Sequence, residues 1–275
     1  MTEKILEVRK LSFAYEEKEV LSDVSVSFHT GEKVAVMGAN GAGKSTFFLN
    51  LNGVRIPSEG EILYRETAIN KKNRDLLRKN VGIVFQEADN QIVASTVRAE
   101  VAFGPMNMHL PREEVLERTM QAIGQMNLGE YVDRPPHYLS GGEKKRVSIA
   151  DILAMNSEMI IFDEPTASLD PVNARMLEEV LRQIEGEGKT ILLSTHDVDF
   201  AWRFADRILV FREGRLIADG SPETIFSNAE LIEKANLRKP VLMEVWEILQ
   251  RSGKVSQDVH PPKTLEEFQE REALK

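Results

Sequence analysis

The chain has 275 residues, of which 42% are hydrophobic and 29% charged, with a formal net charge of −9 and no cysteine. This is the composition of a soluble globular protein of one large or two small domains, and it excludes disulfides and thiolate metal sites. The acidic balance argues against a nucleic-acid partner. No apolar run approaches the roughly 20 residues of a membrane helix, so the chain is expected to stay in the cytoplasm, with any membrane role carried by partner chains.

The first 30 residues read as strand-rich, at residues 5–9 and 24–28. Lys33–Met37 (KVAVM) is a short apolar run ending at Gly38, and residues 46–52 fit a helix. Residues 81–85 (VGIVF) run into Gln86. From about residue 89 to 156 the pattern is mostly helical, which predicts an inserted helical subdomain. Within it, residues 111–127 place Val115, Leu116, Ala122, Ile123 and Met126 on one face. Met159–Phe162 (MIIF) runs into Asp163, and Thr190–Ser194 (TILLS) runs into Thr195 and His196.

Between these two runs a helix is predicted over residues 171–185. Asp170 caps it and Pro171 fits its first turn. Val172, Met176, Leu177, Val180, Leu181 and Ile184 form its apolar stripe, and Gly186 and Gly188 stop it. Strands follow at residues 208–212 and 215–218. Beyond Gly220, residues 222–226, Ala229–Ala235 and 240–250 read as short helices, and 264–273 as a charged one. Residues 221–275 are therefore expected to be a C-terminal appendage to a domain of residues 1–220. Short apolar runs without alternation suit strands buried on both faces of a parallel sheet. Strand–helix alternation then implies an open α/β sheet with ligands at the carboxyl ends of its strands.

The segment Gly38-Ala39-Asn40-Gly41-Ala42-Gly43-Lys44-Ser45 fits G-x-x-x-x-G-K-[ST] in full, after a predicted strand and before a predicted helix that opens at Thr46. Glycines let main-chain N–H groups encircle phosphate oxygens, and the helix N-terminus adds partial positive charge. Lys44 can reach the β- and γ-phosphates, and the Ser45 hydroxyl suits Mg²⁺. Asp163 and Glu164 close a buried strand beside this loop, where Asp163 can hold the metal and Glu164 can polarise the attacking water. His196, at another strand end, is either structural or a γ-phosphate ligand. Gln86 is either a loop amide or a contact to Mg²⁺ and water.

The segment Leu139-Ser140-Gly141-Gly142-Glu143, leading a helix that begins KKRVSIADILA, resembles the signature loop of ATP-binding-cassette (ABC) ATPases. The other motifs fall in that family's order over about residues 4–220. They are the phosphate loop, the Q-loop glutamine Gln86, the signature, a Walker B strand ending at Asp163, the catalytic Glu164, a D-loop at Ser168-Leu169-Asp170 and the switch histidine His196. Tyr15 matches the adenine-stacking aromatic.

The resemblance implies a P-loop NTPase (RecA-like) α/β core with an N-terminal antiparallel β-subdomain, an inserted α-helical signature subdomain and a C-terminal helical extension. It also implies two cassettes docked head to tail with Mg-ATP between them, so that Ser140, Gly141, Gly142, Glu143 and Asp170 of one complete the site of the other. ATP and Mg²⁺ are the implied cofactors.

Within the family the chain is similar to ATPases of energy-coupling-factor importers, the cobalt-import subunit in particular. That likeness rests on Val84-Phe-Gln-Glu-Ala-Asp-Asn-Gln-Ile92, on Val101-Ala-Phe-Gly-Pro105 and on the C-terminal extension. Ala88 stands where those relatives carry proline, and Asp151 where they carry glycine or another small residue. The implied partners are a second ATPase subunit, like or unlike, a transmembrane coupling subunit that docks near residues 86–95, and a substrate-binding membrane subunit. Together they would hold the chain at the cytoplasmic face of the membrane. Vitamin uptake is the second cargo reading. A non-transport ATPase is disfavoured by the single cassette, the missing zinc cysteines and the short span between Lys44 and Ser140. A regulatory, inactive cassette is disfavoured because Glu164 and His196 are both present.

Overall fold

A computed structural model describes residues 3–167, 169–256 and 258–273. The chain opens with β1 (Lys4–Tyr15) and β2 (Lys18–His29), followed by β3 (Lys33–Met37), α1 (Lys44–Leu51), β4 (Glu59–Tyr64), β5 (Thr67–Ala68), α2 (Asp75–Asn80) and β6 (Val81–Val84). Three helices come next: α3 (Val97–Asn107), α4 (Arg112–Gln125) and α5 (Gly141–Met155). Then follow β7 (Met159–Phe162), α6 (Pro171–Gly186), β8 (Thr190–Ser194), α7 (Val198–Phe204), β9 (Arg207–Arg212) and β10 (Arg215–Gly220). The appendage is α8 (Pro222–Ser227), α9 (Ala229–Ala235), α10 (Val241–Arg251) and α11 (Leu265–Ala273).

Two sheets result. An antiparallel sheet has the order β2-β1-β4-β5, and a second sheet has the order β10-β9-β3-β8-β7-β6. In the second, β9, β3, β8, β7 and β6 are parallel and β10 is an antiparallel edge. β8 lies between β3 and β7, so the Asp163 strand is not a direct neighbour of the phosphate-loop strand. The strand ending at Ser194 separates them, and this decides which side chains meet.

The strands of the parallel sheet are buried on both faces, and their period of two divides them between two cores. Ala35, Met37, Ile160, Phe162, Ile191 and Leu193 face the helical layer of α5, α6 and α7. Val34, Val36, Met159, Ile161, Leu192 and Phe47 of α1 face the antiparallel sheet. Each of these side chains larger than alanine contributes about 1.5–3 kcal/mol by leaving water. Two glycines permit close packing of α5: a Cβ on Gly82 would lie 2.4 Å from Ile152, and one on Gly104 would lie 2.4 Å from Met155.

Several expectations need correction. Val172 is 70% exposed and Leu116 56% exposed, so neither belongs to the buried stripe of its helix. α6 runs through Gly186 and stops after it, while Gly188 takes a left-handed φ of 73°. Ser168 of the expected D-loop lies outside the described residues. Ile225, Phe226, Ala235 and Met243 of the appendage belong to the same core as the helical side of the sheet. No helix among the described residues is long and apolar enough to cross a membrane.

Candidate active site

The site is built at the carboxyl ends of β3, β8 and β7. After β3 the chain makes a loop that two glycines alone permit. Gly38 has φ 144°, and a Cβ there would sit 2.2 Å from the Phe211 carbonyl oxygen. Gly43 has φ 100°, with Leu21 2.8 Å and the Val20 carbonyl 3.0 Å from the same position. The Gly214 N–H donates to the Ala42 carbonyl (3.1 Å), and the Ala42 N–H to the Ala39 carbonyl (3.1 Å). Asn40, Gly41 and Ser45 are exposed and Thr46 is half-buried. Lys44 opens α1 and is 7% exposed; its Nζ donates to the carbonyls of Gly38 (2.8 Å) and Ala39 (3.3 Å). Burial lowers its pKa, and the charges of Glu164 and Asp163 oppose that. A lysine folded onto its own loop is ready to exchange two carbonyls for phosphate oxygens.

One hydroxyl organises the two carboxylates. Ser194, at the end of β8, donates from Oγ to Asp163 Oδ1 (2.7 Å) and accepts from the Glu164 N–H (2.7 Å). Asp163 is further tied by its own N–H to the Val84 carbonyl (2.9 Å). Glu164 has a left-handed φ of 45°, a conformation that costs a non-glycine residue about 1 kcal/mol or more. Its Oε1 lies 2.9 Å from His196 Nε2 and 3.8 Å from Lys44 Nζ. That oxygen is buried and accepts no well-aligned hydrogen bond. Burial pushes the Glu164 carboxyl up; His196 and Lys44 pull it down, and Asp163 adds to the rise. The arrangement is a carboxylate poised to accept a proton, between a cation and an imidazole.

His196 is therefore in the site: its side chain is 47% exposed and touches Glu164. Gln86 is exposed two residues past β6, and its carbonyl accepts from Lys145 Nζ (3.0 Å). Tyr15 ends β1 and is 38% exposed, with the Arg55 guanidinium 5.2 Å from its ring centroid and Phe13 packed edge-on at 4.9 Å. Ser45, Asp163 and Gln86 offer only oxygen donors, the chemistry that fits Mg²⁺, and the orphaned Glu164 oxygen leaves an acceptor for water.

The remaining motif residues lie elsewhere. Ser140 caps α5 in a reciprocal box: its hydroxyl accepts from the Glu143 N–H (3.4 Å), and the Glu143 carboxylate accepts from the Ser140 N–H (2.7 Å). Gly141 is exposed, and a Cβ on Gly142 would lie 2.7 Å from Asn173 Nδ2. Asp170 caps α6, accepting from the N–H groups of Val172 and Asn173 (2.9 Å each), which lowers its pKa. Among the described residues no hydrogen bond or ion pair links residues 38–46 to residues 139–143. One chain thus assembles Lys44, Asp163, Glu164 and His196 but keeps its second glycine-bearing helix start apart.

Sequence reasoning missed Ser194, Lys145 and Gln91 as site supports. A serine closing an otherwise apolar strand was the available signal for Ser194, and the resemblance already placed Gln91 in the Q-loop segment; nothing marked Lys145.

Comparison with known proteins places these residues in a family. A family model described as ABC transporter matches residues 21–167. The energy-coupling factor transporter ATP-binding protein EcfA of Methanocaldococcus jannaschii is 44% identical over 254 residues, 91% of this chain and 91% of that protein. The structure of cbiO1 from Clostridium perfringens, part of the ABC transporter complex cbiONQ, has a TM-score of 0.74 and 38% identity, covering 90% of this chain and 99% of that one. The dimeric ATP-binding cassette MJ0796, in a post-hydrolysis state bound to ADP and Pi, has a TM-score of 0.70 and 28% identity, covering 79% and 99%.

Proposed function

Because this chain belongs to the ABC transporter family of ATP-binding proteins, we propose that it is the ATPase subunit of an energy-coupling-factor importer, driving uptake of cobalt. Uptake of a vitamin by a shared energiser is the second cargo reading. Residues 1–220 are the ATPase unit and 221–275 its extension. Two cassettes, like or unlike, pair head to tail, and they attach at the cytoplasmic face of the membrane to a transmembrane coupling subunit and a substrate-binding membrane subunit.

In this reading Tyr15 stacks on the adenine, displacing Arg55 from one face. The N–H groups of residues 38–46 cradle the phosphates, and Lys44 neutralises the β- and γ-oxygens. Ser45, Asp163 and Gln86 would hold Mg²⁺, which would neutralise charge on the transferred group. Glu164 orients the attacking water and takes its proton, and His196 holds the γ-phosphate end. Ser140, Gly141, Gly142 and Glu143 of the opposite cassette present a helix N-terminus to the same phosphate, and its Asp170 sits at the seam. ATP bridging the two halves stabilises the closed pair, and cleavage releases it.

The supporting observation is the Lys44–Glu164–His196 cluster, with Asp163 and Glu164 fixed through one serine. The test is Glu164→Gln. ATP binding is expected to persist while turnover falls by about 10²–10⁴-fold, the usual contribution of a positioned base. Near-normal turnover in that variant would assign the base elsewhere.

A further inference from the structure

Two buried charged residues of α5, Lys145 and Asp151, have no part in the chemistry above, although charge is costly to bury without partners. Both belong to one network around the Q-loop. Lys145 Nζ donates to the carbonyls of Phe85 (2.7 Å) and Gln86 (3.0 Å). The Phe85 N–H donates to Gln91 Oε1 (3.2 Å). Gln91 Nε2 donates in turn to the Ser148 carbonyl (2.8 Å) and to Asp151 Oδ2 (3.1 Å). Lys145, Ser148 and Asp151 are spaced three apart, on one face of α5.

We propose that Lys145 and Gln91 are positioning residues that lock the main chain at Phe85–Gln86 to the signature helix α5, with Asp151 setting the strength of the lock. The proposal rests on the ATPase reading and deepens it by making the location of Gln86 depend on the helix that carries Ser140–Glu143. Among the described residues Lys145 has two acceptors and no carboxylate within ion-pair distance; burial pulls its pKa down to about 8, against the charges of Asp163 and Glu87. A buried lysine spent on two consecutive carbonyls fixes a peptide, which an apolar residue cannot do. Gln91 is oriented from both ends: two acceptors on α5 take the two hydrogens of its single amide nitrogen, and its oxygen is left for the Phe85 N–H.

Asp151 accepts more strongly as an anion than as an acid, because a charge-assisted bond is the stronger one. It borders a cavity of about 510 Å³ with Arg78 and Lys79 of α2, Gly104 of α3, His109 and Met155. Burial pushes its carboxyl up to about 7, the Gln91 hydrogen bond opposes the rise, and Glu100 of α3 adds to it. The lock is therefore strong above that pH and weakens as pH falls through it.

The test uses the full chain and its Gln91→Met, Lys145→Met, Lys145→Arg and Asp151→Asn variants. Read out are Kd for ATP, kcat, melting temperature and residue-level hydrogen exchange at Phe85 and Gln86. The expected result is a drop in kcat of roughly tenfold in Gln91→Met and Lys145→Met, with Kd for ATP within about twofold. Exchange at Phe85 should quicken in Gln91→Met, and Lys145→Arg, which keeps two donors, should recover kcat. With Phe85 exchange expressed as protection relative to a free amide at the same pH, Asp151→Asn should lose the change in protection between pH 6 and 8, about one unit either side of neutrality, that the parent shows. Unchanged exchange at Phe85 in Gln91→Met overturns the proposal, as does a fall in kcat that only tracks the melting temperature. Should Lys145→Met fail to fold, Gln91→Met decides alone. Hydrogen exchange reports the lock without turnover, so absence of ATP hydrolysis in the parent chain would sink the ATPase reading and leave the lock separately judged.

Discussion

Ser194 holds Asp163 and Glu164 with one hydroxyl. Replacing it with alanine leaves the Glu164 N–H without an acceptor and Asp163 without a donor. A buried group left unpaired costs about 1–3 kcal/mol, so Ser194→Ala should lower the melting temperature by several degrees and reduce turnover while ATP still binds. Calorimetry beside a hydrolysis assay checks both, and unchanged values in the two would remove Ser194 from the site. Glu164 carries a second prediction. Its folded-state pKa is raised above the ordinary 4.5, chiefly by burial. The folded chain therefore holds its proton more tightly than the unfolded chain, and stability falls as pH rises from below 4.5 through the raised value. Glu164→Gln escapes that loss, so its melting temperature should exceed the parent's at neutral pH, with the gap closing towards acid. A gap that widens on acidification would contradict the burial account. The motif spacing made Lys44, Asp163 and Glu164 legible from sequence. His196 was ambiguous until the strand order placed β8 between β3 and β7. Lys145 was hidden as a support because its partners are main-chain carbonyls about sixty residues away, and the support role of Gln91 was hidden because its amide nitrogen reaches Ser148 and Asp151 on another helix.

At the scale of elements, legibility followed burial. β3, β7 and β8 were readable because both faces are buried and the apolar runs are unbroken. β4 begins with three exposed residues, and α2 buries only Leu77, so neither leaves a periodic trace. α3 contains Gly104 and Pro105, both poor helix formers, and packing overrides propensity there because Met155 of α5 fills the space a Cβ would need. α10 shows how one apolar pattern can serve two sides. Met243 and Trp246 turn inward, and the Trp246 indole donates to the Val259 carbonyl (3.0 Å). Val241 (52% exposed), Val245 (37%) and Ile248 (59%) form an outward stripe at i, i+4 and i+7. Deleting residues 221–275 would strip Ile225, Phe226 and Met243 from the core, and so would test folding rather than pairing. Point changes separate the two. Val245→Asp and Ile248→Asp are expected to shift stability by no more than about 0.5 kcal/mol, as surface changes do. In a Glu164→Gln background they should reduce the ATP-dependent dimer seen by sedimentation. An undiminished dimer would place the contact on another face.

For the whole molecule, the distribution of motifs is the main finding. One chain joins the phosphate loop, both carboxylates and the histidine, and among the described residues holds its signature helix start apart, where Ser140 and Glu143 cap the helix reciprocally. In the proposed head-to-tail pair such a cassette would be half of a site, which would account for two glycine-bearing helix starts in a single chain. The antiparallel sheet, the helices of residues 97–155 and the appendage all pack around the parallel sheet that carries the reactive edge. Everything then depends on a triphosphate replacing the two carbonyls that Lys44 Nζ now contacts. The most direct measurement is ATP affinity and steady-state hydrolysis of the full chain with and without Lys44→Ala. The account predicts that the alanine variant stays folded, binds ATP weakly and loses nearly all hydrolysis. Equal binding and turnover in the two proteins would contradict it.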